Sequence, residues 1–327
     1  MHTLFCCPFR FRAYTIIDFL RGEAMRKNIK VALLGGDLRQ LSVAKSLAND
    51  GFSVDLWGIA PPFCSQQDGI SVSSDWGATI SACRVLILPL PASGDGIHIS
   101  CPLLNENVEL KLSKVLDLLP GDTLILGGKF SPSVKKMIAD KGFRCIDYFQ
   151  KEELQIKNAV PTAEGALAIA MNELPVTISG AKTAVIGYGR IGKVLAKKLK
   201  LLDANVTVAA RKSADLALIE SNGMSALPIH IKNGKNSLEA LAGDYDVIFN
   251  TAPAWVIDAS IIEKMPKKTL FIDLASAPGG LDMQAAKKRG LSVIWALSLP
   301  GKCSPFTAGQ IIAQTARQIL IEEGITQ

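Results

Sequence analysis

A chain of 327 residues, 48% hydrophobic and 20% charged, is long enough for two cores and apolar enough to fill them. Its formal net charge of +6 is spread along the sequence, which suits small anionic ligands and argues against a nucleic-acid surface. No apolar run reaches the ~18 residues that span a membrane, and the seven cysteines are odd in number and scattered, without a C-x-x-C or Cys/His cluster. Reduced thiols in a cytoplasmic protein, with no metal site, are therefore expected.

In residues 1–24, Arg10 and Arg12 interrupt the apolar stretch and no small-residue cleavage pattern follows, so the segment is a poor signal peptide. The motif-bearing chain opens at Met25. We expect Met25 to be the native start and residues 1–24 to be a non-native extension. From Asn28 to Leu34 an apolar strand runs into Gly35-Gly36-Asp37, followed by a helix from about Leu38 to Asn49 and a strand over Ser53–Trp57. Further strands are predicted over Arg84–Leu90, Thr123–Leu126 and Arg144–Tyr148, with helices over Val108–Leu118 and Ser133–Lys141. This alternation predicts an open parallel sheet covered by helices on both faces. Such sheets bind ligands outside the carboxyl ends of their strands. Those ends carry Asp37 and Arg39, Ser93 and Asp95, and Lys129 and Ser131, which together suggest a shelf for an anionic substrate.

From Lys151 the composition becomes helical. Pro161 predicts a break there, with Thr162 as the cap of a second helix over Ala163–Leu174 joining two domains. A strand over Thr183–Ile186 then meets Gly187-Tyr188-Gly189-Arg190-Ile191-Gly192. A helix follows with Ile191, Val194, Leu195, Leu199 and Leu202 on one face, and the next strand ends at Ala209-Ala210-Arg211. Strand, Gly-rich turn, helix and strand form the context in which G-x-G-x-x-G binds a dinucleotide. Gly187 permits the tight turn, Gly189 lets backbone approach a pyrophosphate, and Gly192 lets helix and strand pack closely. An NAD-selective chain places Asp or Glu at the end of the second strand. Here Arg211 and Lys212 stand there, fit to neutralise a 2′-phosphate, so the predicted cofactor is NADP.

Three later strands, Asp246–Asn250, Thr269–Asp273 and Ser292–Leu297, end in polar or Gly-rich breaks on the same edge. Asn250, Thr251, Ala252, Asp273 and Ser276 are predicted to wall the ribose and nicotinamide, with Pro300-Gly301-Lys302 beyond the last strand. A final helix over Ser304–Gly324 closes the chain. The expected fold is α/β: two doubly wound parallel-sheet (Rossmann-like) domains joined by inter-domain helices. Residues 25–150 form a substrate domain, to which helix 304–324 returns, and residues 151–303 form the NADP domain. The active site is expected in a cleft between the two.

Four stretches carry a family resemblance: Gly35-Gly36-Asp37-Leu38-Arg39-Gln40, Asn158 through Gly165, the Gly187–Gly192 turn, and Ala296 through Lys302. Their order across the chain from Met25 resembles the A-subunit family of bacterial dipicolinate synthase. The resemblance implies an NADP-linked oxidoreductase in the mother cell of a sporulating bacterium. It implies formation of dipicolinate from a dihydrodipicolinate-type precursor of the lysine pathway, beside a flavoprotein B subunit. We also expect a homo-oligomer. The implied substrate is a cyclic imine dicarboxylate that becomes aromatic on losing a hydride and a proton. It needs cations for two carboxylates and a base. Arg39, Lys129 and Lys302 are the cationic candidates, and Glu164, beside Thr162, is the candidate base or orienting group.

Two other readings stay open. D-2-hydroxyacid dehydrogenases look similar in outline but use a histidine late in the nucleotide domain, whereas His2, His98 and His230 all precede Asp273. The other is an NADP-binding regulatory protein whose chemistry resides in a partner.

Overall fold

Runs such as Val31–Leu34 and Val85–Ile87 are apolar at every position, the mark of strands covered on both faces. The computed structural model describes residues 29–60, 63, 69–104, 108–232 and 235–326; residues 1–24 and Met25 lie outside them. The described residues up to Tyr148, with those from Ile312 on, form one unit, and Phe149–Ile311 form the other.

In the first unit β1 (Lys30–Leu34), α1 (Leu38–Asn49), β2 (Ser53–Trp57), β3 (Ile70–Val72), α2 (Trp76–Ile80), β4 (Val85–Ile87), α3 (Leu112–Leu118), β5 (Leu124–Gly127), α4 (Pro132–Asp140) and β6 (Arg144–Asp147) follow one another. The six strands make one parallel sheet in the order β3-β2-β1-β4-β5-β6, which reverses direction between β1 and β4. Leu34, Leu86, Ile125, Val115 and Ile138 are among the residues of the core on one of its faces. The helix expected from Val108 begins only at Leu112. Ile99 N donates to Leu110 O and Leu112 N to Ile97 O, so the residues before Leu112 pair with another loop instead of winding. The short strand β3 was not expected; three residues carry too little periodicity to be read.

The second unit opens with α5 (Glu152–Glu173) and continues β7 (Lys182–Ile186), α6 (Arg190–Leu201), β8 (Asn205–Ala210), α7 (Ser213–Ser221) and β9 (Ser225–Pro228). A two-stranded antiparallel hairpin, β10 (Ile231–Lys232) and β11 (Lys235–Asn236), leads to β12 (Val247–Asn250), α8 (Ala259–Lys264), β13 (Leu270–Asp273), α9 (Met283–Arg289) and β14 (Ser292–Trp295). A short helix α10 (Leu299–Cys303) precedes α11 (Pro305–Glu322). The sheet is again parallel, in the order β14-β13-β12-β7-β8-β9. The fold is thus two parallel six-stranded sheets with flanking helices, a doubly wound α/β arrangement in each unit.

Two expectations about α5 are corrected. Pro161 does not break it, and Thr162 is not a cap: the helix is continuous from Glu152 to Glu173, and Thr162 Oγ1 donates to Asn158 O, one turn back, at 2.8 Å. Proline deletes one backbone donor, at a cost of about 3 kcal/mol in a helix interior. Here Ala159, Ala163, Ala166 and Ala170 are buried, and a Cβ on Gly165 would stand 3.0 Å from the Leu299 side chain. Close packing of that small-residue face outweighs the lost bond. The helix α11 changes allegiance midway, residues through Ile311 belonging to the second unit and those from Ile312 to the first. There Arg317 reaches Asp50 (3.1 Å) and Ser46 (2.9 Å), and Glu323 pairs with Arg144.

Candidate dinucleotide site

The turn after β7 has the form expected of it. Gly187 stands at φ +96°, where a side chain is strained, and a Cβ there would meet Thr251 Oγ1 at 2.6 Å. A Cβ on Gly192 would lie 2.1 Å from the Gly187 carbonyl oxygen, so only glycine lets α6 start this close to the turn. Around Gly189, by contrast, a Cβ would meet nothing within 4 Å. Gly189 is also the N-cap of α6, with no side-chain hydrogen bond to the helix start and no acidic residue in its first turn. Open space before an uncapped helix N-terminus suits a pyrophosphate, which needs donors and positive dipole but no room for side chains. Thr251, after β12, holds the turn from the other side: its Oγ1 donates to Ile186 O at 2.9 Å.

The remaining residues of the turn divide. Ile191 packs partly buried against the core of this unit, so its side chain supports the turn. Arg190 is exposed and pairs with Glu152 at 2.6 Å. Tyr188 lies under Lys193, whose Nζ is 5.4 Å from the ring centroid and 3.7 Å from Asp215. Partial burial, reinforced by the Asp215 charge, pushes its phenol above the ordinary value. Arg211 and Lys212, at the end of β8, are exposed, and neither side chain has an ion pair or hydrogen bond among the described residues. Two unneutralised cations at that strand end are what an anionic group on the adenine ribose requires.

At the nicotinamide side the expectation is corrected for two residues. Asn250 and Asp273 are buried, 0% and 1% exposed, and their polar atoms are occupied, so they do not line the site as contacts. Asp273 accepts from Asn250 Nδ2 (2.9 Å), Ala275 N (3.0 Å) and Gly280 N (2.7 Å). Asn250 exchanges two bonds of 3.1 Å with the backbone of Ala252. Thr251 and Ala252 are half-buried and Ser276 is exposed at the strand edge. Two residues not foreseen join them: Trp295 Nε1 donates to Ala275 O (2.8 Å) and Trp255 Nε1 to Leu281 O (3.1 Å). A loop carbonyl's partner leaves no periodic trace in sequence, so nothing marked these indoles in advance.

The residues of the expected catalytic set belong to both units, Arg39 and Lys129 to the first and Thr162, Glu164 and Lys302 to the second. Glu164 is on the exposed side of α5, paired at 2.7 Å with Lys198. Lys198 lies eight residues into α6, about 12 Å along the axis from the Gly-rich turn at 1.5 Å per residue. Since Glu152 pairs with Arg190 and Glu164 with Lys198, the two helices run alongside in the same sense, and Glu164 is carried away from the strand ends. In this arrangement its carboxylate is engaged by a surface ion pair. Arg39 is nearly buried and committed to its own loop: its guanidinium pairs with Asp37 (2.8 and 2.9 Å) and donates to Leu90 O. The backbone N–H groups of Lys129 and Phe130 donate to Asp147 at 3.0 Å, so this strand end is organised by a carboxylate. Lys302 is exposed on α10, and its ammonium has no partner among the described residues. Among the described residues no group of His, Cys, Asp or Glu could hold a metal ion, and no helix is long and apolar enough to cross a membrane.

A doubly wound sheet, a glycine turn against an uncapped helix and free cations at the next strand end define a nicotinamide-dinucleotide-binding, dehydrogenase-like protein. Comparison with known proteins agrees: residues 163–279 match the model for the NAD-binding domain of D-isomer-specific 2-hydroxyacid dehydrogenases. Residues 30–149 match the model for the N-terminal domain of the dipicolinate synthase A subunit. The chain is 33% identical over 299 residues to the dipicolinate synthase A subunit of Bacillus subtilis (strain 168), covering 91% of this chain and 98% of that protein. Crystal structures of the dipicolinate synthase A subunit from Bacillus halodurans (TM-score 0.79, 30% identity, 89% and 97% coverage) and Bacillus subtilis (0.76, 32%, 90% and 96%) superpose on it. This chain belongs to the A-subunit family of dipicolinate synthase.

Proposed function

We propose that this chain is the NADP-dependent component that forms dipicolinate from a dihydrodipicolinate-type intermediate of the lysine pathway, in the mother-cell cytoplasm of a sporulating bacterium. It works as a homo-oligomer beside a flavoprotein B subunit. The observation that carries the cofactor assignment is the pair of unpartnered cations, Arg211 and Lys212, at the end of β8. NADP⁺, when bound, accepts the hydride. The glycine turn holds the pyrophosphate, Arg211 and Lys212 hold the 2′-phosphate, and Lys302 grips one substrate carboxylate, since a carboxylate taken from water unpaired costs several kcal/mol. Arg39 positions the loop at Leu90 in the substrate-binding unit rather than clamping the second carboxylate. The ring proton leaves to solvent water as the hydride is transferred, and aromatisation supplies much of the driving force, so the protein's task is orientation more than activation.

A second reading, a cofactor-binding protein whose chemistry needs its partner, is favoured by the engagement of Glu164 with Lys198. Purified chain, NADP⁺ and freshly formed dihydrodipicolinate decide between them. Appearance of NADPH and of a pyridine dicarboxylate without any partner supports catalysis by this chain. Turnover only after the flavoprotein partner is added supports the second reading.

A further inference from the structure

Asn250 and Asp273 are buried polar residues in the middle of an apolar sheet, and their hydrogen bonds show what they are for. In register across the carboxyl ends of the strands stand Ile186, Asn250, Asp273 and Trp295. An amide and a carboxylate in such a row are costly unless satisfied. Apart from the bond between the two side chains, their bonds go to loop backbone: Asn250 donates to Ala252 O and accepts from Ala252 N, and Asp273 accepts from Ala275 N and Gly280 N. The two residues therefore tie the loop after β12 to both ends of the loop after β13. A Cβ on Gly280 would lie 1.9 Å from Asn250 Nδ2, so the amide is in direct contact with that backbone. The same loop is pinned from outside by Trp295 at Ala275 O and by Trp255 at Leu281 O. The tip of that loop, Ser276, Ala277 and Pro278, is exposed.

The position of these loops fixes what they would serve. The pyrophosphate turn follows β7 and the cations Arg211 and Lys212 follow β8, so the adenosine half lies over β7 and β8. A dinucleotide crosses the sheet at its switch point, here between β7 and β12, and its other half extends over β12 and β13. We infer that Asn250 and Asp273 are positioning residues that hold the two loops as a preformed seat for the nicotinamide half of the cofactor, without touching it. The inference rests on the dinucleotide reading of this site. Preorganisation matters because a loop ordered before binding is not ordered at the ligand's expense.

Paired probes that differ only by the nicotinamide ring isolate this role: NADPH against 2′-phospho-ADP-ribose, and NADH against ADP-ribose, measured by calorimetry on the full chain. Asp273→Asn and Gly280→Ala should each weaken NADPH tenfold or more while 2′-phospho-ADP-ribose stays within twofold. Trp295→Phe removes one loop bond from the surface with little risk to folding, and should shift the same ratio at least threefold. If both probes weaken in step, the residues merely support the fold and the seat is overturned. If the NADPH affinity of Trp295→Phe and of the folded core variants is unchanged, it is overturned as well. A wild-type chain that binds no probe overturns the dinucleotide reading itself, and the seat with it. A wild-type chain that prefers NADH overturns only the NADP assignment, and the ratio of NADH to ADP-ribose then decides the seat.

Discussion

The two units carry the same strand order, and in each the first strand runs into a glycine turn and a helix, yet the turns are built to opposite ends. After β1, Gly36 N donates to Ser100 O at 2.7 Å, and a Cβ on Gly35 would strike that oxygen at 2.5 Å and Cys101 Sγ at 2.9 Å. Asp37 caps α1 through Arg39 N (3.0 Å) and holds the Arg39 side chain. The chain's own carbonyl and carboxylate thus occupy the space and the donors that an anion would use. After β7 the helix starts without a side-chain cap and the space before it is open. A Gly-rich turn after a strand is therefore not by itself an anion site; it becomes one only where the protein leaves the helix donors unmet.

Four substitutions break or sharpen this contrast. The largest effect is expected from Gly192→Ala, whose Cβ would collide with the Gly187 carbonyl. It should cost about 3 kcal/mol of stability, the upper range of overpacking, and abolish dinucleotide binding, read by thermal unfolding and calorimetry. Arg211→Asp should lower NADPH affinity ~30-fold, the loss of a charge-assisted bond of ~2 kcal/mol, and reverse the preference toward NADH. Equal binding of both cofactors by the unmodified chain would remove the basis for that assignment. Asp37→Ala strips the first turn of its cap and frees Arg39; it should cost about 1–2 kcal/mol by denaturant unfolding and leave dinucleotide affinity unchanged. Acquired binding of inorganic phosphate by that variant would show that the cap alone excludes anions there. The smallest effect is expected from Glu164→Gln, which breaks an exposed ion pair worth under ~1 kcal/mol and should leave turnover intact. A collapse in the rate, with binding preserved, would restore Glu164 as a catalytic group.

Much of this architecture was legible because it is periodic or local. The helix over Leu38–Asn49 and the strand over Ser53–Trp57 have the bounds read from sequence, since an Asp cap and a glycine at Gly51 punctuate a clear pattern. The Gly187–Gly192 turn was readable for the same reason: Gly187 and Gly192 answer contacts one strand away and within a few residues, and Gly189 leaves the space between them open. What failed depended on packing at a distance. Pro161 reads as a break until the alanine face around it is seen to be buried. Asn250 and Asp273 read as ligand contacts because they stand at strand ends, and only the bonds to Ala252, Ala275 and Gly280 show that they face inward. Glu164 reads as a candidate base from its place beside Thr162, but the direction in which α5 runs beside α6 decides where it points, and that is not written in the stretch itself.

The divided helix α11 has a consequence for how the chain is made. The first unit's sheet and helices leave the ribosome early, but Arg317 and Glu323, the partners of Asp50 and Arg144, come last. Residues 149–311, the whole second unit, are synthesised in between. At about 5–20 residues per second, the earlier-made unit waits of order ten seconds or more for the segment that completes it, whereas the later-made unit has all its parts as soon as Ile311 emerges. The order of completion is the reverse of the order of synthesis, and during that interval the surface around Asp50 and Arg144 is the one that a nascent-chain chaperone would find uncovered.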